Sequence, residues 1–432
     1  MLSRLDLSGG VNAASLATSL PRAAIDIDVA LETVRPLVQE VKERGEEALY
    51  EQAERFDRVR PTSIRVPQDA IDEALESLDS ALREAISLAI DHVRAGHEAQ
   101  MPEEKSVEII SGGTVTQRWI PMRRVGLYVP GGLAVYPSSV VMNAVCAQVA
   151  GVQSIALTSP AQERFGGLPH PTILAACALL GIDEVYAAGG AGAIGMFAYG
   201  AGECEPVDVI TGPGNIYVAA AKRLVLGTVG IDSEAGTTEI AILADDSANP
   251  RYVAADLLSQ AEHDPAAASV LVTDSVELAD AVDRELEDLV SKTKHEERVR
   301  TALSGPQSGT VLVANLDDGL QVINAYGAEH LEIHARDDEQ VARRVSNAGA
   351  IFLGSYTPVP AGDYLAGSNH VLPTGGTARY NSGLNVHVFL KSVQQVKYSR
   401  EALEEITDSL QTFANAEDLP AHGGALEVRR EM

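Results

Sequence analysis

The chain has few aromatic residues, few cysteines and no long hydrophobic run. Aromatics make up 4% of its 432 residues, with a single tryptophan, so its cores must be aliphatic. Its three cysteines are too few and too scattered for a disulfide framework. No apolar run reaches the roughly 20 residues of a membrane span, and Asp6 interrupts the segment where a signal peptide would be apolar. We therefore expect a cytoplasmic protein without a membrane partner.

Basic residues are also scarce. Lys and Arg total 33 against 61 Asp and Glu, which gives a net charge of −28. A chain this acidic repels phosphate backbones and anionic lipids, so we do not expect a nucleic-acid partner. A length of 432 residues exceeds what one hydrophobic core fills, and it predicts two or more domains.

The order of the predicted elements is typical of an α/β protein. Hydrophobic periodicity predicts helices over residues 26–100 and a strand pair at 106–110 and 114–119. Strand, glycine turn and helix then alternate from Arg123 to Ala244, and a second set of helices and strands follows up to Leu353. This alternation predicts parallel sheets with helices on both faces.

The most informative feature of the sequence is a pair of residues, Gln260 and His263, that can form half of a metal site. Gln260 and His263 lie three residues apart in a segment with helical periodicity, so their side chains share one helix face. Two later segments, 361–373 and 416–422, carry further histidines and carboxylates. Two imidazoles, a carboxylate and an amide oxygen form a ligand set that suits Zn²⁺.

Three glycine-rich turns suit a dinucleotide. Residues 128–132, 189–190 and 212–215 end predicted strands, at the edge where open α/β sheets bind ligands. Glycine lets a diphosphate approach the backbone there. Gly190, Gly192 and Gly195 also form a literal G-x-G-x-x-G, although the acidic residue expected after the next strand is absent. Each segment can equally be a structural turn.

An adjacent acid–base pair, Glu329-His330, follows Tyr326-Gly327 in a segment that the sequence indicates to be a loop. On an irregular segment both side chains can reach one substrate, where an imidazole accepts a proton and a glutamate activates water. A surface Glu-His pair is the alternative. Asp363 is predicted in a glycine-bounded loop, where a turn or cap role is the alternative. His334 is predicted to be an ordinary strand residue.

Together these segments resemble the histidinol dehydrogenase family. The similarity runs in order from about Arg123 to His422, and it rests on residues 257–265, 324–331, 361–373 and 416–422. Members of that family are zinc enzymes that oxidise histidinol twice with NAD⁺. The resemblance therefore implies an oxidoreductase of histidine biosynthesis, which converts an alcohol to an aldehyde and the aldehyde to an acid.

The resemblance also implies a role for individual residues. Glu329 and His330 would be catalytic. One Zn²⁺ per subunit would be bound by Gln260, His263, Asp363 and His422. The substrate would contact these four ligands together with Thr238, His330, His370 and Glu417. NAD⁺ would contact Tyr128, Gly192 and Asn215. Thr238 stands where the family usually has serine, and Gly192 stands where it usually has a glutamine that contacts the cofactor.

The resemblance further implies two Rossmann-like doubly wound domains, one inserted in the other, with an N-terminal helical segment and a C-terminal dimerisation tail. We divide the chain into an N-terminal arm (1–20), a main α/β domain (21–122 and 236–378), an NAD-binding-like domain (123–235) and the tail (379–432). In the family the tail crosses to the partner subunit, which implies a homodimer with shared active sites.

Two other functions remain open. A relative on the same fold could oxidise a different polyol or amino alcohol, although Glu329, His370 and Glu417 suit a substrate with an imidazole and an amine. A regulatory protein could bind zinc or a nucleotide without chemistry, although it would not need both Glu329 and His330. An assay for NADH formation with histidinol separates these possibilities.

Overall fold

The computed structural model describes residues 1–12, 16, 18–23, 27–131, 135–234 and 236–430. Gly132 of the first glycine turn, Asp26 at the start of the predicted helical segment and Ala235 before Gly236 lie outside the described residues. The chain divides into two compact units, one formed by residues 1–100 and 123–389 and the other by residues 101–122 and 390–432.

The described residues form fourteen strands and sixteen α-helices. The strands are β1 (Ser3–Leu7), β2 (Lys105–Ile110), β3 (Gly113–Pro121), β4 (Arg124–Tyr128), β5 (Ser154–Ser159), β6 (Val185–Ala187), β7 (Val209–Thr211), β8 (Gly230–Ile231), β9 (Glu239–Ala244), β10 (Ala268–Thr273), β11 (Gly309–Val313), β12 (His330–His334), β13 (Ala350–Leu353) and β14 (Leu390–Tyr398). The helices are α1 (Ile27–Arg44), α2 (Glu46–Gln52), α3 (Gln68–Glu76), α4 (Ser80–Glu98), α5 (Pro137–Val149), α6 (Pro171–Leu179), α7 (Gly190–Tyr199), α8 (Ile216–Val225), α9 (Pro250–Ala261), α10 (Val276–Val290), α11 (Glu296–Ser304), α12 (Leu316–Tyr326), α13 (Asp338–Ala342), α14 (Val359–Tyr364), α15 (Arg400–Ala416) and α16 (Pro420–Arg430).

The first unit contains a six-stranded parallel sheet in the order β1-β11-β10-β9-β12-β13. All six residues of β9 and all six of β10 are buried, as expected for strands covered on both faces. The strand order reverses between β9 and β12, which pair through His330 and Ile240. Side chains at the amino ends of β9 and β12 therefore lie close together.

A second parallel sheet in the same unit has the order β6-β5-β4-β7-β8. One continuous stretch of chain forms it, inserted between β1 and β9 of the larger sheet. This is a doubly wound order that reverses between β4 and β7, so the turns after these two strands flank the switch point where such sheets bind ligands. The predicted α/β class with parallel sheets is thereby confirmed.

The N-terminal segment is helical, as its periodicity predicts. Helices α1 to α4 are followed by the antiparallel pair β2 and β3, which the sequence also predicts. Five residues with π-helical hydrogen bonding, Ala53–Asp57, extend α2. Aliphatic side chains on one face of α1, including Val34, Val38 and Val41, pack into the core of the five-stranded sheet.

The second unit is smaller. β14 pairs along its whole length with β3, and β3 pairs with β2, to give a three-stranded antiparallel sheet. Helix α15 begins after Ser399, whose hydroxyl accepts from the amide of Ala402, and α16 follows. The sequence pattern predicts one helix in this region, at residues 400–416, which are the bounds of α15, and it does not predict β14 or α16. The four-part domain division drawn from the sequence stays a prediction.

Within the described part of the chain, no helix is both long enough and apolar enough to cross a membrane.

Candidate active site

The predicted loop position of the acid–base pair holds for Glu329, which lies between α12 and β12, but not for His330, which lies at the amino end of that central strand. Helix α12 ends at Tyr326, Gly327 adopts the left-handed conformation that ends many helices, and His330 is the first residue of β12. Glu329 and His330 are both more than nine-tenths buried. Their positions are therefore fixed by the six-stranded sheet.

The side chains of Glu329 and His330 both contact the backbone of Glu239, the first residue of the neighbouring strand β9. Glu329 Oε2 accepts from the Glu239 amide at 2.9 Å, and His330 Nδ1 lies 3.3 Å from the Glu239 carbonyl oxygen. Because a carbonyl only accepts, Nδ1 of His330 carries the proton and Nε2 is left with a lone pair. Nε2 is buried without a hydrogen-bond partner, so it is available as a base.

A relay of side chains connects Gln260 to Glu329. Gln260 Nε2 donates to Thr238 Oγ1 at 2.6 Å, and Thr238 Oγ1 donates to Glu329 Oε2 at 2.6 Å. This relay fixes the amide orientation, because only the NH₂ group can donate. Oε1 of Gln260 is consequently left buried and without a partner. An orphaned buried oxygen at a predicted ligand position fits a metal ion.

His263 and Asp363 line one cavity of about 590 Å³. The prediction that Gln260 and His263 share a helix face is wrong, because α9 ends at Ala261 and His263 lies beyond it. Gln260 is buried, whereas the side chain of His263 is exposed at the cavity wall. Asp363 lies in helix α14, and its predicted position in a loop is wrong. Its Oδ1 is 3.9 Å from His330 Nε2. Gln260, His263 and Asp363 thus supply oxygen and imidazole donors that suit Zn²⁺.

His370 is held between two elements of the first unit. Its Nδ1 donates to the Asp363 carbonyl at 3.0 Å, and its Nε2 lies 3.2 Å from the hydroxyl of Ser139 on α5. Burial lowers the pKa of His370, so the neutral imidazole is favoured. The sequence gives no signal for Ser139, because its contact with His370 is made only in the fold.

Burial raises the pKa of Glu329, and the nearby Asp363 carboxylate raises it further. The positive charge available on His330 and the hydrogen bonds from Thr238 and Glu239 act in the opposite direction. A glutamate with a raised pKa is a better proton acceptor than an ordinary one, which suits general-base work.

A second glutamate, Glu239, is buried next to Glu329 and His330. Burial raises the pKa of Glu239 to about 7, while the charge of Arg22, whose guanidinium is 3.5 Å from Glu239 Oε1, lowers it. The same guanidinium packs over the ring of Tyr326, 4.1 Å from its centroid. Sequence analysis assigns no role to either Arg22 or Glu239, because their contact is made only in the fold.

Another buried cluster lies along β12. Ligand atoms of Asp256, Glu332 and His334 lie within 4.8 Å of one another, a donor set compatible with a divalent cation such as Zn²⁺. The cluster shares no residue with the predicted zinc ligands. His334 is therefore more than the ordinary strand residue that the sequence indicates. Burial and the facing Glu332 carboxylate raise the pKa of Asp256 to about 8.

The predicted cofactor residues line a separate cavity of about 730 Å³. Tyr128, Gly192 and Asn215 all border it, at the carboxyl ends of the five-stranded sheet. The Tyr128 hydroxyl accepts from the Gly190 amide at 3.3 Å, and Asn215 caps α8 through its Oδ1. The G-x-G-x-x-G follows β6 and opens α7, the context that the fingerprint requires.

Glu417 and His422 lie in the second unit. Glu417 is the residue after the last turn of α15, and His422 lies in the first turn of α16. Both are exposed. Their predicted roles at the metal and the substrate stay predictions.

Known proteins resemble the whole chain. The sequence model of the family described as histidinol dehydrogenase matches residues 20–430. A histidinol dehydrogenase of Thermobifida fusca is 61% identical over 429 residues, which cover 99% of this chain and 98% of that protein. One of Streptomyces avermitilis is 58% identical over 432 residues, with the same coverage. The crystal structure of histidinol dehydrogenase from Elizabethkingia anophelis superposes with a TM-score of 0.92 at 32% identity, over 100% of this chain and 98% of that one.

Proposed function

The chain belongs to the histidinol dehydrogenase family, and we propose that it oxidises L-histidinol through L-histidinal to L-histidine with two NAD⁺, the last steps of histidine biosynthesis. The observation that carries the proposal is the arrangement of Glu329 and His330 about the backbone of Glu239. One carboxylate and one imidazole base are held there, and His330 Nε2 lies 3.9 Å from the Asp363 carboxylate.

Zinc would be held by Gln260, His263 and Asp363, with His422 as the fourth ligand. Gln260 fits because its Oε1 is buried and unpaired, and Asp363 fits because it offers a carboxylate in the cavity that His263 also lines. When bound, the ion would act as a Lewis acid that coordinates the nitrogen atoms of the substrate and so orients its hydroxymethyl group.

The two catalytic side chains divide the proton transfers. His330 Nε2 takes the proton of the substrate hydroxyl in the first oxidation. Glu329 takes a proton from the water that attacks the aldehyde, and His330 then deprotonates the resulting hydrate in the second oxidation. NAD⁺, when bound, would supply the hydride acceptor for both oxidations. All three cysteines are buried and none lines the cavity, which fits attack by water rather than by a thiolate.

The remaining polar residues would position substrate and cofactor. Thr238, His370 and Glu417 would contact the substrate, as would the zinc ligands and His330. Thr238 is itself held by Gln260 and Glu329, so its hydroxyl is already oriented. NAD⁺ would occupy the cavity bordered by Tyr128, Gly192 and Asn215.

We further propose a homodimer in the cytoplasm, in which Glu417 and His422 complete the site of the partner subunit. These two residues belong to a unit separate from the one that carries Glu329 and His330. Because Glu417 and His422 belong to the second unit, they can take part in the site of a neighbouring chain while the first unit stays unchanged.

The purified chain with histidinol and NAD⁺ provides the test. We expect two NADH for each histidinol consumed, with histidine as the product. Histidinal supplied directly should yield one NADH. NADH formation with other amino alcohols but not with histidinol would overturn the substrate, and zinc or NAD⁺ binding without turnover would overturn the enzymatic role.

A further inference from the structure

Gly192 lies inside helix α7, where a glycine weakens a helix by roughly 1 kcal/mol relative to alanine. A steric reason for it comes from another part of the chain. A Cβ atom built on Gly192 would overlap the side-chain oxygen of Gln52 and would lie 3.3 Å from a methyl of Leu49. The glycine therefore leaves room for the amide of Gln52.

Gln52 is the last residue of α2 and is largely buried. Its Nε2 donates to the carbonyl of Leu37 on α1 at 3.0 Å. Because a carbonyl can only accept, this bond fixes which end of the amide is nitrogen. Oε1 must then be the atom that faces Gly192.

The space that Gly192 leaves belongs to the cofactor cavity. Gln52 lines that cavity together with Gly192, Tyr128 and Asn215, and so does Asp57 at the end of the π-helical turn. Burial raises the pKa of Asp57 to about 6, which is still below neutral pH. Gln52 and Asp57 thus present hydrogen-bond acceptors from the helical segment, and acceptors suit hydroxyls rather than phosphate oxygens.

We propose that Gln52 is a cofactor-binding residue whose amide oxygen, placed in the gap at Gly192, accepts a hydrogen bond from a ribose hydroxyl of the dinucleotide. The proposal rests on the proposed function, because it takes the 730 Å³ cavity as the NAD⁺ site. It adds a residue from the N-terminal helices to the three predicted cofactor residues, which all belong to the segment that forms the five-stranded sheet. Gly192 acts through Gln52 and is a positioning residue.

A double-mutant cycle on the full chain tests the pair, with the dissociation constant of NAD⁺ as the measurement. Loss of one neutral hydrogen bond predicts a roughly five- to tenfold weaker affinity for Gln52→Ala. Gly192→Ala should weaken binding to a similar degree, because its methyl group displaces the amide. In the Gln52→Ala background the same Gly192→Ala change should cost little, since the amide is no longer there.

Gln52→Met fills a similar volume and replaces Gln52→Ala if the smaller side chain unfolds the protein. Gln39→Ala, on the exposed face of α1, is the matched control and should bind NAD⁺ like the unchanged chain. The KM for histidinol should not change in Gln52→Met. Unchanged NAD⁺ affinity in Gln52→Met, or losses that add fully in the double variant, would overturn the proposal.

Failure of the proposed function has a different signature. If the unchanged chain binds NAD⁺ and Asn215→Ala or Tyr128→Ala weakens that binding, the cavity is the cofactor site. A neutral Gln52→Met would then reject Gln52 alone. If Asn215→Ala and Tyr128→Ala are also neutral, the cofactor binds elsewhere and both proposals fail.

Discussion

Glu332→Gln should stabilise the protein at alkaline pH and leave it little changed near pH 5. Glu332 Oε1 accepts from the Val359 amide at 3.0 Å, and its Oε2 lies 3.2 Å from His334 Nε2. Glutamine keeps an oxygen that can accept from the Val359 amide, so the hydrogen bond to the first residue of α14 is retained. Its NH₂ group replaces the oxygen that faces Asp256, and there it can donate to a carboxylate.

The sign of the effect follows from the pKa of Asp256, which is raised to about 8 from an ordinary value of 3.8. The folded state therefore binds more protons than the unfolded state between these two values, so stability falls as pH rises from about 4 to about 8. Each pKa unit corresponds to about 1.4 kcal/mol, which gives a loss of roughly 4 kcal/mol between pH 5 and pH 8.

Burial is the largest cause of the raised pKa of Asp256, and the carboxylate of Glu332 is the second. Glu332→Gln removes only the second cause. We therefore expect it to recover part of the loss, on the order of 1–2 kcal/mol at pH 8. Near pH 5 the protonated Asp256 loses a charged acceptor, so the variant should lie within about 1 kcal/mol of the unchanged chain.

Calorimetric unfolding of both chains from pH 5 to pH 8.5 measures the effect, together with zinc content. Glu339→Gln on the exposed face of α13 is the matched control and should shift neither curve. Destabilisation by more than about 2 kcal/mol at pH 8 would mean that the Glu332 carboxylate is held in an ion pair with a protonated His334. Loss of one bound zinc per chain would mean that the cluster holds a metal. Either result would refute the reasoning.

The remaining predictions concern the reaction and the tail. Glu329→Gln should slow histidinal oxidation by about 10²–10⁴-fold and histidinol oxidation less, so a defect confined to the alcohol step would contradict its role in activating water. His330→Asn should slow both oxidations on the same scale, and one unaffected step would exclude it as the shared base. His263→Ala and His422→Ala should each lower the zinc content measured by mass spectrometry, and undiminished zinc in both would remove them as ligands. Chains that carry both Glu329→Gln and His330→Asn, when mixed with chains that carry His422→Ala alone, should regain activity as heterodimers. Inactive heterodimers would mean that the tail serves its own chain.

The sequence predicts most elements of the parallel sheets because their strands are short β-branched runs between glycine turns. The bounds of β9 and β13 agree with the pattern to the residue. β1 and β14 are missed for a physical reason. β1 is short, the apolar residues of β14 recur at every third position, and both strands are largely exposed, so only their pairing with β11 and β3 identifies them as strands.

Motif spacing predicts site residues but not the contacts that orient them. Gln260 and His263 are singled out by their spacing in a segment with helical periodicity, although α9 ends at Ala261 and only Gln260 lies in it. The bond from Gln260 to Thr238 joins a helix to the residue before a strand, and no local pattern encodes it. The sequence likewise does not show that the backbone of Glu239 contacts Glu329 and His330.

That backbone contact explains how two adjacent residues can act on one substrate. Neighbours on a strand point to opposite faces, so an extended Glu-His pair would ordinarily be divided by the sheet. Here Glu329 lies just before β12 and His330 begins it, and both reach the main chain of Glu239, at its amide and at its carbonyl. The amino end of β9 therefore sets the separation of acid and base. A change of the Glu239 side chain would leave both bonds in place, whereas a shift of β9 against β12 would break both together.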